Sequence, residues 1–179
     1  MAKKFDKKFI TIGLILGGMA AVAAGILGGV NLLTKDTIAA NDLKSQEKAL
    51  AKVFADAASY SEAKVVSSDA HEYVLKEWEA FKEDKTSIGK IYYTSGKNAY
   101  GSVSLMVGIK TNRIANFAVV SNTESYASTL EENYIGKFLA DPENTNLDDI
   151  DVSCGATYGA KLVKAMCDDA LAYHLEGGK

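Results

Sequence analysis

The sequence predicts an α+β chain: an N-terminal single transmembrane helix, a juxtamembrane helix, and then an antiparallel sheet packed with helices. Three observations predict it. An uncharged apolar run fills residues 9–33, apolar residues at helical spacing follow, and β-forming segments divided by turn residues precede a last amphipathic stretch.

From Phe9 to Leu33 the chain reads FITIGLILGGMAAVAAGILGGVNLL, without a charge and with Asn31 as its one amide side chain. A helix of that length crosses a bilayer core, which takes roughly 20 residues. Residues 1–8, MAKKFDKK, carry four lysines and one aspartate, a net +3. The positive-inside rule therefore predicts a cytoplasmic N-terminus and an extracytoplasmic remainder. A cleaved signal peptide is the rival reading, because small residues such as AVA occur in the run. A signal h-region is only about 7–15 residues long, so length favours an uncleaved anchor. Gly13 and Gly17 are four apart, as are Gly25 and Gly29. That spacing lets membrane helices approach closely and predicts partner helices in a complex, although glycine is also simply common in membrane helices.

The next stretch, DTIAANDLKSQEKALAKVFADAA, has apolar residues at Ile38, Leu43, Leu50, Val53, Phe54 and Ala57. The period predicts a helix from about Asp36 to Ala58, within a juxtamembrane segment 34–60, serving as a stalk.

A β-rich middle comes next. IGKIYYTSG reads as a strand ending in a turn, GSVSLMVGI alternates weakly, KTNR is a turn and IANFAVVS another strand. Three strands with short loops predict an antiparallel meander. STLEENYIGKFLAD reads as helix and PENTNLDD as loop. GAKLVKAMCDDALAYHL places Leu162, Val163, Met166, Cys167, Ala170 and Leu171 on one face, a terminal helix against the sheet. Cys167 in that stripe reads as a buried, inert thiol.

The net charge is −3, so the body after residue 8 carries −6. An acidic body without a basic stripe argues against nucleic-acid binding. Cys154 and Cys167 form no CxxC pair, and His71 and His174 suggest no zinc site. The acidic run Asp148, Asp149, Asp151 reads as a solvated loop rather than a cation site.

One stretch carries candidate chemistry: DVSCGATYGAKLV, Asp151–Val163. Ser153, Gly155, Ala156 and Gly159 leave the backbone uncovered just where a helix begins. A helix start offers free N–H groups and a positive dipole end, which suit a phosphate. Lys161 in the predicted first turn adds charge, and the phosphate would lie beside the Thr157 hydroxyl. The competing reading makes Ser153 or Thr157 an ordinary helix cap. Neither a P-loop nor a nucleophile elbow is present.

Asp151-Val152-Ser153-Cys154-Gly155-Ala156-Thr157 closely resembles the flavinylation motif D-x-x-[ST]-G-A-T of the FMN-binding domain family. Known members are the G-type component of the Rnf ion-translocating ferredoxin:NAD reductase and the C-type component of the sodium-translocating NADH:quinone reductase. Both have one N-terminal membrane helix and an extracytoplasmic flavin domain, the layout of this chain along its whole length. YGSVSLMVGIKTNRIANFAVVSNTES resembles the family's core strands, with Gly101, Gly108-Ile109 and Glu124 at the matching positions, and IGKFL resembles the short helix before the flavin loop.

The resemblance implies that residues 61–179 form an extracytoplasmic FMN-binding domain with FMN covalently attached to Thr157 through a phosphoester, installed by a flavin transferase. Ser153, Cys154, Gly155 and Ala156 would form the loop around it, with Glu124 and Ser125 near the ring or ribityl chain. For Glu124 a solvated loop acid is the alternative reading, and Tyr158 reads as core rather than as a flavin contact. Cys154 departs from the motif's Ser/Thr, Gly159 and Ala160 replace hydroxyl residues, and ESYAST replaces E-T-P-G-x-G. The short length favours the Rnf type. The implied function is an electron-carrying subunit of a membrane ion-translocating ferredoxin:NAD oxidoreductase, with other membrane subunits as partners and no stand-alone catalysis. Two alternatives stand beside it: a freestanding membrane-anchored flavoprotein of extracellular electron transfer, and a tethered binding domain without flavin.

Overall fold

The structure is a computed structural model that describes residues 7–177; the side chains of residues 7–9, 30–33, 35, 36, 38 and 39 are outside the description. Most of the lysine-rich segment 1–8 and the side chains of Asn31 and Ile38 thus lie outside the described residues. The chain divides into two compact units, Met1–Lys44 and Ser45–Lys179.

The first unit is helical. Helix α1 spans Lys7–Val53 without interruption, so the predicted membrane and juxtamembrane helices are one element. Its segment Ile10–Gly29 has a mean hydropathy of 2.2 and is long and apolar enough to cross a membrane. The side chains along it are exposed, including Leu14 and Leu27, as suits a surface made for lipid or for partner helices. Among the described residues nothing lies within 4 Å of where a Cβ would stand on Gly13, Gly17, Gly25 or Gly29, so both small-residue pairs are open to a neighbour.

The second unit is a sheet covered on both faces. α1 ends at Val53 rather than near Ala58, and Ala57 N–H turns back to the Phe54 carbonyl at 3.2 Å. Two short strands follow, β1 (Ser59–Tyr60) and β2 (Lys64–Val65), then β3 (Val74–Phe81), β4 (Ser87–Asn98), β5 (Gly101–Lys110) and β6 (Arg113–Asn122). The order is β1-β3-β4-β5-β6, with β2 also paired to β3 and every pairing antiparallel. The predicted meander is β4-β5-β6. The expectation of three strands falls short because β3 reads VLKEWEAF, whose Lys76, Glu77 and Glu79 hide the alternation. Glu77 is nevertheless buried, and it is held there by Lys64 at 3.0 Å.

The β5–β6 connection is the predicted KTNR turn. Thr111 and Asn112 adopt φ of 53° and 59°, the left-handed pair that a two-residue hairpin turn requires. β5 alternates only weakly because it is central and covered twice. Val103, Leu105, Val107 and Ile109 face one core with Tyr92 and Phe117, while Met106 faces a second core with Ile91, Ala118, Ala49, Val53 and Phe54. Gly108 lies under α1: an added Cβ would overlap Val53 Cγ1 and meet Phe54 Cζ at 3.0 Å.

The predicted helical stretch 128–141 consists of α2 (Ala127–Leu130), a π-helical turn (Glu131–Ile135) and α3 (Gly136–Ala140), burying Leu130, Tyr134, Ile135 and Phe138. A 3-10 turn, Leu147–Asp149, interrupts the predicted loop. Helix α4 (Thr157–Leu175) lies on the larger core. Its predicted face holds and is extended by Ala160 and Tyr173; Leu171 is only partly buried. Cys167 is fully buried, and burial pushes its thiol well up, which keeps it protonated and unreactive.

Candidate functional site

Three loops converge at the start of α4. The first is the β4–β5 turn, where Asn98 Oδ1 accepts from Tyr100 N–H at 2.7 Å. The second leaves β6 at Thr123. It is tied to the first by Ser125 N–H and Ser125 Oγ–H, which donate to the Tyr100 carbonyl at 3.0 and 3.1 Å. Gly101 permits this approach, because a Cβ there would collide with the Thr123 carbonyl and stand 2.7 Å from Glu124 Cα. The third loop is the motif itself. Ser153 N–H donates to Asp151 Oδ1 at 2.8 Å, and Asn133 Nδ2 donates to the Cys154 carbonyl at 3.1 Å. Gly155 at φ 90° then turns the chain into the helix, a conformation that side-chain-bearing residues rarely adopt.

The helix begins at Thr157, where the small-residue turn was expected to lead into it, two residues before the apolar stretch that starts at Gly159. Ala156 is the N-cap and Thr157 the first helical residue, so neither Ser153 nor Thr157 caps α4, and among the described residues no side chain does. The first intrahelical bond is Ala160 N–H to the Ala156 carbonyl at 2.9 Å. The N–H groups of Thr157, Tyr158 and Gly159 meet no acceptor among the described residues, nor does the Thr157 hydroxyl take part in a hydrogen bond there. This helix end is therefore left open, with its dipole aimed outward.

A cavity of about 230 Å³ opens at that end. Gly155, Ala156, Thr157 and Gly159 form its floor, and Tyr100, Tyr126, Tyr158 and Glu124 its walls. Glu124 is 7% exposed, so it is not a solvated loop acid. Asn98 Nδ2 donates to its Oε1 in a short hydrogen bond, while Oε2 takes none among the described residues. Tyr158, expected in the core, is 62% exposed instead, because position 158 lies outside the buried stripe of α4.

Of the predicted site residues, Glu124, Gly155, Ala156 and Thr157 meet in this cavity. Ser125 lies beside it, committed to Tyr100. Ser153 is exposed and Cys154 half-buried, both upstream of the cavity. Lys161 is exposed in the second turn of α4, not the first, because the helix starts at Thr157. Tyr100, Asn98 and, as a wall, Tyr126 were not foreseen. The one sequence signal was an aromatic residue in a two-residue hairpin turn, where small residues are usual. A larger cleft of about 520 Å³ lies between the end of α1 and the β5–β6 turn, but its guanidinium, Arg113, is occupied by the Glu143 carbonyl at 2.7 Å. Among the described residues no cluster of His, Cys, Asp and Glu is arranged to hold a metal ion.

Among known families, that of the RnfG N-terminal region matches residues 1–53, which end where α1 ends. Over that stretch the chain is similar to the RnfG component of the Rnf complex, and the matched segment does not include Asp151–Thr157. No curated protein matches the chain.

Proposed function

We propose, from that likeness together with the motif and cavity, that the chain is the electron-carrying subunit of a membrane ion-translocating ferredoxin:NAD oxidoreductase of the Rnf type. FMN is attached to it through a phosphoester on Thr157. The observation that carries this reading is the unused bonding capacity around Thr157: a free hydroxyl on the first residue of a helix whose three leading N–H groups have no acceptor among the described residues. A helix end of this kind suits a phosphate. The residues also fit the group sterically, since Gly155 is exposed and puts no side chain beside Thr157.

The residues have separable roles. Thr157 Oγ would take the ester, losing its proton and displacing from phosphorus the leaving group of the flavin nucleotide that the transferase supplies, and the Thr157, Tyr158 and Gly159 N–H groups would hold the phosphate. Glu124 Oε2 would accept from a ribityl hydroxyl of the flavin, and Asn98 holds the carboxylate in place for that purpose. Ser125 holds the Tyr100 turn against the site. Ser153 and Cys154 shape the approach of the loop, and Lys161 adds positive charge from the next turn. The flavin supplies the redox chemistry; the protein binds it, orients it and sets its surroundings. No general acid or base is required for electron relay.

The apolar segment Ile10–Gly29 supports a single-pass membrane anchor. In this reading the N-terminus is cytoplasmic and the second unit extracytoplasmic, where a covalent bond prevents loss of a dissociable cofactor. Other membrane subunits and a flavin transferase are the partners.

The test is intact mass and in-gel flavin fluorescence after denaturation, on full-length wild type and Thr157→Ala co-expressed with a flavin transferase and exported. The expected result is a gain of one FMN less one water in the wild type only. An unlabelled wild type, with a known flavin subunit labelled in parallel, sinks the assignment and leaves the tethered binding domain.

A further inference from the structure

We infer that Tyr100, Tyr126 and Tyr158 form an open aromatic cradle that stacks the planar ring of the group tethered at Thr157. This inference rests on the proposed flavin attachment and adds ring-positioning residues to it.

The three rings come from three separate parts of the chain: the β4–β5 turn, the N-cap of α2 and the first turn of α4. They are nevertheless neighbours. Tyr100 lies between the others, its centroid 6.2 Å from that of Tyr126 and 5.2 Å from that of Tyr158. All three are exposed, at 42%, 54% and 62%. Grouped exposed aromatics of this kind leave apolar area in water, which marks a binding surface more often than a packing accident.

Their geometry fits a flat ligand. The Tyr100 and Tyr158 rings are tilted by 41° and the Tyr100 and Tyr126 rings by 63°, so neither pair is stacked flat and each makes a wedge. A ring entering that wedge stacks on one tyrosine and meets another edge-on, the two arrangements aromatic groups prefer. The support is rigid beforehand. The Tyr100 backbone is held from both sides, its N–H by Asn98 and its carbonyl by Ser125. Little loop ordering is then left to oppose binding.

Volume decides where the ring lies. The cavity, about 230 Å³, falls below the roughly 300–1,000 Å³ of pockets that enclose a drug-sized ligand. It accommodates the phosphate and part of the ribityl chain, so the ring must emerge at the surface, where the tyrosines stand. Glu124, buried and with one oxygen unpartnered among the described residues, supplies a single polar anchor at the inner end of an otherwise aromatic wall. An exposed ring edge also suits electron exchange with a partner subunit.

The experiment uses full-length chain, flavinylated by co-expression with a transferase, as wild type, Tyr100→Leu, Tyr126→Leu and Tyr158→Leu, with the three Tyr→Phe variants beside them. Intact mass reports attachment. Visible circular dichroism of the flavin band and flavin emission of the folded protein report stacking, since tyrosine quenches a stacked flavin. The residues are exposed, and far-ultraviolet circular dichroism verifies that each variant folds. The expected result is an unchanged adduct in all variants, loss of the induced flavin band and a severalfold rise in emission in the Leu variants, and retention of the band in the Phe variants. Adduct throughout, with band and emission of all three Leu variants equal to wild type, overturns the cradle and leaves Thr157 attachment standing. No adduct in the wild type overturns both.

Discussion

The Glu124 carboxylate packs directly on Gly159: an added Cβ at position 159 would lie 3.1 Å from Glu124 Oε1 and 2.8 Å from Leu130 Cδ2. The glycine that replaces a hydroxyl residue in the motif region is therefore the space that the buried acid occupies. Gly159→Ala gains helix propensity of about 1 kcal/mol, yet it overpacks a buried leucine and a buried carboxylate. We expect net destabilisation of about 1–2 kcal/mol, measured by denaturant unfolding of the full chain in detergent. Unchanged or raised stability would mean that Glu124 is free to move away and does not line a fixed cavity.

Thr157→Ala separates attachment from capping. Thr157 is the first helical residue and makes no cap bond. Its removal is expected to change stability by less than about 0.5 kcal/mol while abolishing the flavin adduct. A capping threonine would instead cost about 1 kcal/mol. Thermal unfolding of unflavinylated wild type and variant distinguishes the two.

Gly108→Ala should be among the more damaging single changes. Its Cβ would overlap Val53 Cγ1 at the end of α1, across the central strand. Overpacking at a buried backbone site is expected to cost about 2–3 kcal/mol, read as a lowered unfolding midpoint with unaltered denaturant dependence. A neutral result would show that the end of α1 packs elsewhere.

His71 predicts a pH dependence with a definite sign. It is buried, with Nδ1 2.8 Å from Asp169 Oδ1 and Nε2 3.2 Å from Glu176 Oε2, and Tyr173 edge-on at 5.3 Å. Its hydrogen bond to Asp169 raises its pKa, against burial and together with Glu176. The folded state thus favours the charged ring. That stabilisation is fully present below about pH 6.5, the unfolded value, and is lost as pH rises through the raised folded value. His174 opposes it: burial, and then Lys90, lower its pKa, so it contributes stability above about pH 6.5 that is lost on acidification. In the folded protein its Nδ1 pairs with the Tyr92 hydroxyl at 2.8 Å. His71→Gln should remove the first dependence and leave the second, so stability of the variant rises with pH near neutrality. Melting temperatures of wild type and variant across pH 5.5 to 8.5, roughly one to two units either side of the unfolded histidine value, decide it. Parallel profiles would rule out the ion pairs.

Gly25→Leu with Gly29→Leu tests the membrane partners. Both positions are open. If partner helices use them, the double variant still inserts but no longer comigrates with other membrane subunits on native gels. Normal comigration would favour the freestanding flavoprotein.

What could be read from the sequence was whatever local periodicity and motif spacing carry. The run from Phe9 to Leu33, the β4–β5–β6 meander, the turn at Thr111–Asn112 and the stripe of α4 all follow from residue type at fixed intervals. Thr157 could be singled out because its motif is continuous in the chain. The tertiary structure decided the rest. β3 carries three charged residues and becomes a strand only because β1, β2 and β4 supply its hydrogen bonds and Lys64 neutralises Glu77. Whether Glu124 was buried and Tyr158 exposed depended on where α4 begins and on which loops Ser125 and Asn98 tie together. Those partners are 25 or more residues apart in the chain, and no local pattern encodes a contact at that distance.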